Sequence, residues 1–332
     1  MPVHIVWLAL LGLLLSGYFV LAGYDYGTQV LYPFVARGER ERRTVRAALG
    51  PFFFGNEVWL VAVVGVLFGG FPFVEGELLS GLYPLVVVVL LGLVVGKAAI
   101  QLRGRMSSAA GRRLWDALIV LGGVVPAAGW GMVIGVLLRG VPRTPGGAYA
   151  LRWSTVLEPF VLATGLGGVL LFAAHGAAFL SVRTEGPVAQ RVRRLTPVLS
   201  AMAAAAVIAS TALSQDVSIT EPGRARCCAG VLVVALVIAV IASMRGRFTA
   251  AFAATIVSVA VPVPLVGVAL HPYLLVSAPG QGVTVTEAAA DSVTLTALLP
   301  VAILIVPTIL AYQLWSWRLF RGRITADAPG YF

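Results

Sequence analysis

The residues best suited to chemistry are Asn56 and Glu57, which interrupt the apolar stretch Gly50–Phe71 and are followed by Trp59. A carboxylate costs roughly 2.5–3.5 kcal/mol at the centre of a helix in hydrocarbon, and less near an end, where Glu57 lies. A chain that keeps such a residue uses it to face a partner, a cavity or a proton path. The alternative is a carboxylate at the start of a helix whose side chain reaches back to water.

The composition identifies the class of protein that must position these residues. Hydrophobic residues make up 59% of the 332-residue chain and charged residues 11%, which is more apolar than a soluble fold of this size requires. The apolar stretches are long enough to cross ~30 Å of hydrocarbon. We therefore predict an all-α integral membrane protein with nine transmembrane helices, near Ile5–Gln29, Phe52–Phe71, Leu78–Gly96, Leu114–Leu138, Val156–Leu180, Leu195–Leu213, Cys227–Met244, Phe248–Leu270 and Val293–Trp317.

The first apolar stretch continues to Val35, which is too long for one straight crossing. Gly23, Gly27 and Pro33 predict that this helix tilts or breaks near its inner end.

The basic residues predict the orientation of the chain. Alternate loops contain 19 of the 24 basic residues, and the remaining loops contain 5. By the positive-inside rule, the N-terminus lies outside and the C-terminus lies in the cytoplasm. The basic residues lie in short clusters without interleaved aromatic residues, so the net charge of +10 does not indicate nucleic-acid binding.

A weak internal repeat suggests the domain organisation. The first helix ends in Gly23–Gly27 and the fifth in Ala174–Ala177, and each leads to an arginine-rich loop. We predict a first four-helix unit over residues 1–140 and a second over 141–270. The rest, 271–332, holds an outer loop, the ninth helix and a cytoplasmic tail.

The potential metal ligands are scattered. His4 and His271 are predicted near the outer surface and His175 towards the inner side, whereas a haem needs axial ligands at matching depth. Cys227 and Cys228 are adjacent and are interpreted as small buried hydrophobic residues, because neighbouring thiols do not easily share a metal or form an unstrained bridge. We predict no metal site and no catalytic residue in this chain.

Several motifs together resemble subunit II of the cytochrome bd-type quinol oxidases, over nearly the whole chain. The box Gly55–Leu60 with the preceding proline is the most specific of them. The others are Gly23–Gly27, the arginine-rich loop ending in ERRTVRAALGP, Trp115–Asp116, Glu158–Phe160, His175–Ala177, His271–Pro272 and the stretch YQLWSWRLFRGRI.

This resemblance implies a haem-free subunit in a bacterial cell membrane that supports a haem-bearing subunit I. The b- and d-type haems and the quinol site would lie on subunit I. Subunit II would line oxygen or proton paths, and in some members it binds a quinone structurally. Partners would be subunit I, membrane lipid and a small single-helix accessory subunit. By position, Asn56 and Trp59 match the family box near an oxygen channel, and Asp25 matches the acid of the first-helix motif.

Two departures from the family pattern concern the proton route. Phe54 stands where the family has a membrane-embedded aspartate, and Gln101 stands where it has an acid near the inner end of the third helix. Neither side chain can accept and release a proton near neutral pH. Protons then reach the oxygen site through subunit I alone, or Asp25 and Glu57 carry them, or this homologue no longer reduces oxygen in the usual way. Asp25 and Glu57 could also serve packing only.

Two other functions stay open at the level of sequence. One is a divergent subunit of the same fold that serves a non-respiratory redox partner. The other is a polytopic transporter, which would share the repeat, the buried acids and the glycine-rich helices but would need paired broken helices.

Overall fold

A computed structural model describes residues 2–214, 217, 219–278 and 281–325, so most of the predicted tail lies outside the described residues. Eight helices in this part of the chain are long and apolar enough to cross a membrane. The helices are α1 (Val3–Val35), α2 (Glu39–Leu49), α3 (Glu57–Gly70), α4 (Pro72–Gly81), α5 (Tyr83–Leu102), α6 (Ala109–Arg139), α7 (Trp153–Val156), α8 (Pro159–Arg183), α9 (Gly186–Leu213), α10 (Pro222–Met244), α11 (Phe248–Ala260), α12 (Pro262–Leu270), α13 (Val285–Ala288) and α14 (Ser292–Leu319).

The predicted integral membrane fold is confirmed, but the second span differs from its prediction. The segment at 50–56 forms turns, and α3 has only 14 residues, or about 21 Å at 1.5 Å per residue. Hydrophobicity alone misplaced this helix start, because Phe52 and Phe53 are buried by packing inside the protein rather than by lipid. A break at Phe71 then leads into α4, and the third span begins at Tyr83. The count of nine crossings remains a prediction.

Helix α1 is the central element of the fold. It runs unbroken for 33 residues with Pro33 inside it, so of the two predicted alternatives the break is wrong and the tilt stays a prediction. It packs against α3, α6, α8, α11 and α14. Gly27 and Gly176 let α1 and α8 approach closely, since a Cβ at Gly27 would lie 1.8 Å from the Phe172 carbonyl oxygen. Helices from the predicted units 1–140 and 141–270 thus share one core, and the division into units remains a prediction.

The loops with most of the arginines meet at one end of the helices, here called the Arg-rich end. Arg103 binds Glu39 and Asp116 there, and Arg191 binds Glu41. Backbone bonds join the other loops at the opposite end, for example from Val141 N to Val276 O (2.8 Å). Which end faces the cytoplasm remains a prediction.

The predicted outer loop contains structure that the all-α prediction missed. Strands β1 (Tyr273–Ala278) and β2 (Gln281–Thr284) form an antiparallel hairpin. Thr284 and Glu287 then form a capping box at α13, and the Asp291 carboxylate caps α14. Short strands and caps of this kind satisfy backbone groups outside the long helices, and hydrophobic runs do not reveal them.

Candidate functional site

The candidate site is a buried lysine between two carboxylates. Lys97 Nζ on α5 lies 2.8 Å from Asp25 Oδ2 on α1 and 2.9 Å from Glu57 Oε1 at the start of α3. The Asp25 side chain is fully buried, that of Lys97 is 11% exposed and that of Glu57 is 23% exposed. We call these three residues the Lys97 site.

The turn before α3 completes the surroundings of Lys97. The Phe53 carbonyl accepts a bond from Lys97 Nζ (2.9 Å), and the ammonium lies 3.8 Å from the centre of the Phe53 ring. The ring face and the carbonyl dipole both favour a cation at this point. Phe53 thus stabilises the charge of Lys97 without neutralising it.

Asn56 links the Lys97 site to α1. Its Nδ2, which has two hydrogens to donate, lies within hydrogen-bond distance of Asp25 Oδ2 (3.0 Å), the Leu21 carbonyl (3.1 Å) and the Tyr24 hydroxyl (3.0 Å). Asn56 is fully buried, and an amide in that position must find partners inside the protein. Its role in the structure is to orient Asp25 and to close the turn before α3.

The charges of the Lys97 site do not balance. One ammonium faces two carboxylates, so the group carries a net negative charge unless one acid holds a proton. Asp25 Oδ1 is buried and has no hydrogen-bond partner among the described residues. The arrangement can therefore hold a proton, or the negative charge left when a proton departs.

The residues singled out from the sequence have different positions in the structure. Asp25, Asn56 and Glu57 come together around Lys97, and the buried Trp59 ring lies over Gly17. Phe54 is 64% exposed, although its neighbour Phe53 is buried against Lys97. Gln101 is half-buried on α5, one turn beyond Lys97.

The sequence argument did not select Lys97. The sequence nevertheless sets Lys97 apart, because it is the one lysine among 24 basic residues and lies at the end of an apolar stretch. A charged residue inside a membrane span is expected to pair with another charge or with backbone carbonyls. Asp25 and Glu57 were the available acids in the neighbouring spans.

A second charged group lies at the Arg-rich end. Arg103 is buried and donates to Glu39 through both terminal nitrogens and to Asp116 through Nε (2.8 Å). The hydrogen bonds from Arg103 lower the pKa of the Glu39 carboxyl, and those from Arg191 lower the pKa of Glu41. Bidentate pairs of this kind fix α2 against α5, α6 and α9.

The buried His175 forms a separate polar site on α8. Its Nδ1 lies 2.9 Å from the Thr255 hydroxyl, and its Nε2 lies 2.9 Å from the Val20 carbonyl oxygen. Both ring nitrogens are thus engaged, and His4 and His271 lie on other elements. Within the described residues, no three His, Cys, Asp or Glu side chains form a group that could hold a metal ion. Cys227 is exposed and Cys228 half-buried, so the predicted burial of the two cysteines is wrong.

The fold and the buried charges define a class, a many-helix membrane protein with an ionisable site inside its core. Comparison with known proteins assigns the family. The profile described as cytochrome bd terminal oxidase subunit II matches residues 3–320. The chain belongs to this family.

Relatives and a solved structure resemble the chain over its length. It is 28% identical to "Cytochrome bd ubiquinol oxidase subunit 2" of Bacillus subtilis (strain 168) over 331 residues, covering 98% of both chains. It is 29% identical to "Cytochrome bd-I ubiquinol oxidase subunit 2" of Escherichia coli (strain K12), covering 97% of this chain and 95% of the relative. A chain of the bd oxidase from Geobacillus thermodenitrificans superposes with a TM-score of 0.79 at 19% identity, over 96% of this chain and 99% of the other. The family resemblance and the location in a bacterial membrane are confirmed.

Proposed function

We propose that this chain is the haem-free subunit II of a membrane quinol:oxygen oxidoreductase and packs beside a haem-bearing subunit I. Family membership supports the assignment to a bd oxidase. The surroundings of His175 support the absence of haem, because iron ligation would require at least one ring nitrogen to give up its present hydrogen bond. The reaction itself would take place on the partner.

The Lys97 site supports a more specific role. We propose that Asp25 and Glu57 carry protons in place of the family acids that Phe54 and Gln101 replace. The supporting observation is the charge imbalance of two carboxylates on one ammonium. Protonation of one acid would make the site neutral, and deprotonation would be tolerated because Lys97 remains in contact with both acids.

The geometry gives the two acids different tasks. Asp25 is enclosed in the core, whereas part of Glu57 reaches the surface of the subunit. A proton held at Asp25 could move to Glu57 only past Lys97, whose Nζ contacts both carboxylates. Glu57 would then pass it towards the partner.

The proposed oxygen path concerns Trp59 and the surface around Phe54. Trp59 fills the space above Gly17 at the contact between α1 and α3. An exposed aromatic residue at Phe54 replaces a charge by apolar surface, which a nonpolar molecule such as oxygen crosses at low cost. We assign no further path residue.

The proton role can be tested with charge-neutral variants that preserve shape. In the assembled complex, Glu57→Gln and Asp25→Asn should each leave the amount of purified complex unchanged and slow quinol oxidation several-fold. Glu57→Leu is the control for packing and should reduce assembly, because leucine, unlike glutamine, offers Lys97 no hydrogen-bond acceptor in place of the carboxylate. Wild-type turnover in a well-assembled Asp25→Asn, Glu57→Gln double variant would assign the proton route to subunit I.

A further inference from the structure

One face of α1 carries polar side chains from the Lys97 site towards the Arg-rich end. Thr28 and Gln29 follow Asp25 by three and four residues and precede Tyr32 by four and three, so all four lie on the same side of the helix. All four are at most 2% exposed. The helix rises by about 10 Å between Asp25 and Tyr32.

Each of these side chains has a buried polar atom without a hydrogen-bond partner among the described residues. The atoms are Asp25 Oδ1, Thr28 Oγ1, Gln29 Oε1 and Tyr32 Oη. Buried polar groups are nearly always bonded to protein or to ordered water, and an unpaired one costs about 1–3 kcal/mol. Four in succession on one face therefore point to a shared partner.

Thr28 differs from most of the buried helical hydroxyls. Several of them donate to a backbone carbonyl one turn earlier, as Thr196 does to Val192 O (2.7 Å) and Ser258 does to Ala254 O (3.0 Å), whereas the Ser200 hydroxyl on α9, like that of Thr28, has no partner among the described residues. The bond to a carbonyl one turn earlier is the usual way in which a helical threonine satisfies its hydroxyl. The Thr28 hydroxyl has no such bond, so it is free to bond a small molecule beside α1.

The polar face continues onto α2. Arg46 is 6% exposed, and its Nε and Nη1 have no hydrogen-bond partner among the described residues. Burial lowers the pKa of the Arg46 guanidinium. Arg46 lies on α2, which contacts α1, and supplies N–H donors where the polar face reaches the Arg-rich end.

The Gln29 side chain packs where α5 and α6 contact each other through two glycines, Gly96 and Gly122. A Cβ at Gly96 would lie 2.4 Å from Gln29 Oε1, and one at Gly122 would lie 3.0 Å from it. Because neither glycine has a side chain, the Gln29 amide has room to pack against α5 and α6. Gln29 would anchor the middle of the polar face, halfway between the Lys97 site and Tyr32.

We infer that the face of α1 formed by Asp25, Thr28, Gln29 and Tyr32, continued by Arg46, binds a file of ordered water that joins the Lys97 site to the Arg-rich end. Water is the ligand class that fits, because it can donate to the free oxygens and accept from the Arg46 N–H groups. Since the Arg46 charge disfavours a resident excess proton, the file holds neutral water at rest.

The file deepens the proposed function and rests on it for its role as a proton supply. When Asp25 takes up a proton from the nearest water, that water regains one from its neighbour. The Thr28 and Tyr32 hydroxyls can each donate one hydrogen bond and accept another. A proton taken up at the Arg-rich end thus replaces the one delivered, with no net change within the file.

Water binding can be tested without any activity measurement. Radiolytic hydroxyl labelling of the assembled complex in H₂¹⁸O modifies side chains that lie next to bound water. We expect Tyr32 to be labelled at least several-fold faster than Tyr24 and Tyr18, which are also buried but have their hydroxyls bonded to Asn56 and Tyr26, respectively. Equal protection of the three tyrosines would overturn the inference.

The proton-supply role has its own test. Thr28→Val and Tyr32→Phe should slow quinol oxidation several-fold and leave assembly intact. Thr196→Val, which removes a buried hydroxyl bonded to its own helix, is the matched control and should match wild type. If Asp25→Asn slows turnover while Thr28→Val and Tyr32→Phe do not, the file is not the supply, although the proposed function stands. If Asp25→Asn and Glu57→Gln leave turnover unchanged, the proposed function fails, and the labelling of Tyr32 still decides whether water is bound.

Discussion

The Lys97 site and the His175 site lie on different sides of α1 and satisfy their polar groups in opposite ways. His175 has one partner for each ring nitrogen, and both partners are neutral. Lys97 contacts two carboxylates, and one oxygen of Asp25 has no partner among the described residues. Burial of a polar residue is therefore not by itself a sign of function. The unequal number of charges distinguishes the Lys97 site.

Tyr24 lies between the two sites. Its hydroxyl bonds to Asn56, which orients Asp25, and its ring centre lies 6.0 Å from that of His175. The ring also stacks on Phe179 at 4.3 Å. An aromatic layer thus separates the charged site from the neutral one, and changes at one site should leave the other in place.

The largest effect is expected from Lys97→Met, which leaves two carboxylates facing each other in the core. Removal of one partner from a buried ion pair costs about 3–5 kcal/mol, and the Asp25 side chain is fully buried. The variant should yield little assembled complex by size-exclusion chromatography in mild detergent. A triple variant that also carries Asp25→Asn and Glu57→Gln removes all three charges and should recover most of the yield. Wild-type yield for Lys97→Met alone would show that the acids are already neutral.

His175→Phe should have a smaller effect and one confined to stability. The ring shape is retained, but the Val20 carbonyl loses its side-chain partner and the Thr255 hydroxyl keeps only its bond to Phe252 O (2.8 Å). We expect a loss of about 1–3 kcal/mol, seen as a lower midpoint of thermal unfolding of the complex. Turnover per assembled complex should be unchanged. A several-fold loss of turnover would mean that the neutral site also takes part in the reaction.

The same contrast explains how much could be predicted from the sequence. Long apolar stretches predicted α6, α8 and α14 well, since lipid contact demands hydrophobic residues. They failed at Phe52 and Phe53, which are apolar because they pack against other helices. Asp25 and Glu57 were recognisable from the sequence, because each is an acidic residue inside an apolar stretch predicted to cross the membrane. Their contact through Lys97 was not, because it depends on the packing of α1, α3 and α5.

The Glu39 and Glu41 pairs at the Arg-rich end should make a smaller, pH-dependent contribution. Hydrogen bonds from Arg103 and Arg191 hold their folded-state pKa values below the ordinary 4.5. The stabilisation is therefore present above about pH 4.5 and is lost as the pH falls through the lower, folded-state pKa. Thermal unfolding midpoints should decline below that pH. A Glu39→Gln, Glu41→Gln variant should be less stable at pH 7 and lose less on acidification. An equally steep decline in the variant would show that the acid sensitivity does not come from Glu39 and Glu41.

Phe54→Leu should have the smallest effect on the subunit itself. The Phe54 side chain projects from the turn before α3 and is 64% exposed, whereas its neighbour Phe53 contacts Lys97. Exchange of one exposed apolar residue for another changes stability by about 0.5 kcal/mol or less. The matched control is Phe53→Leu, which removes the ring beneath the Lys97 ammonium and should lower the unfolding midpoint measurably. If Phe54→Leu proved the more damaging of the two in the assembled complex, the surface around Phe54 would be a contact with the partner subunit rather than with lipid.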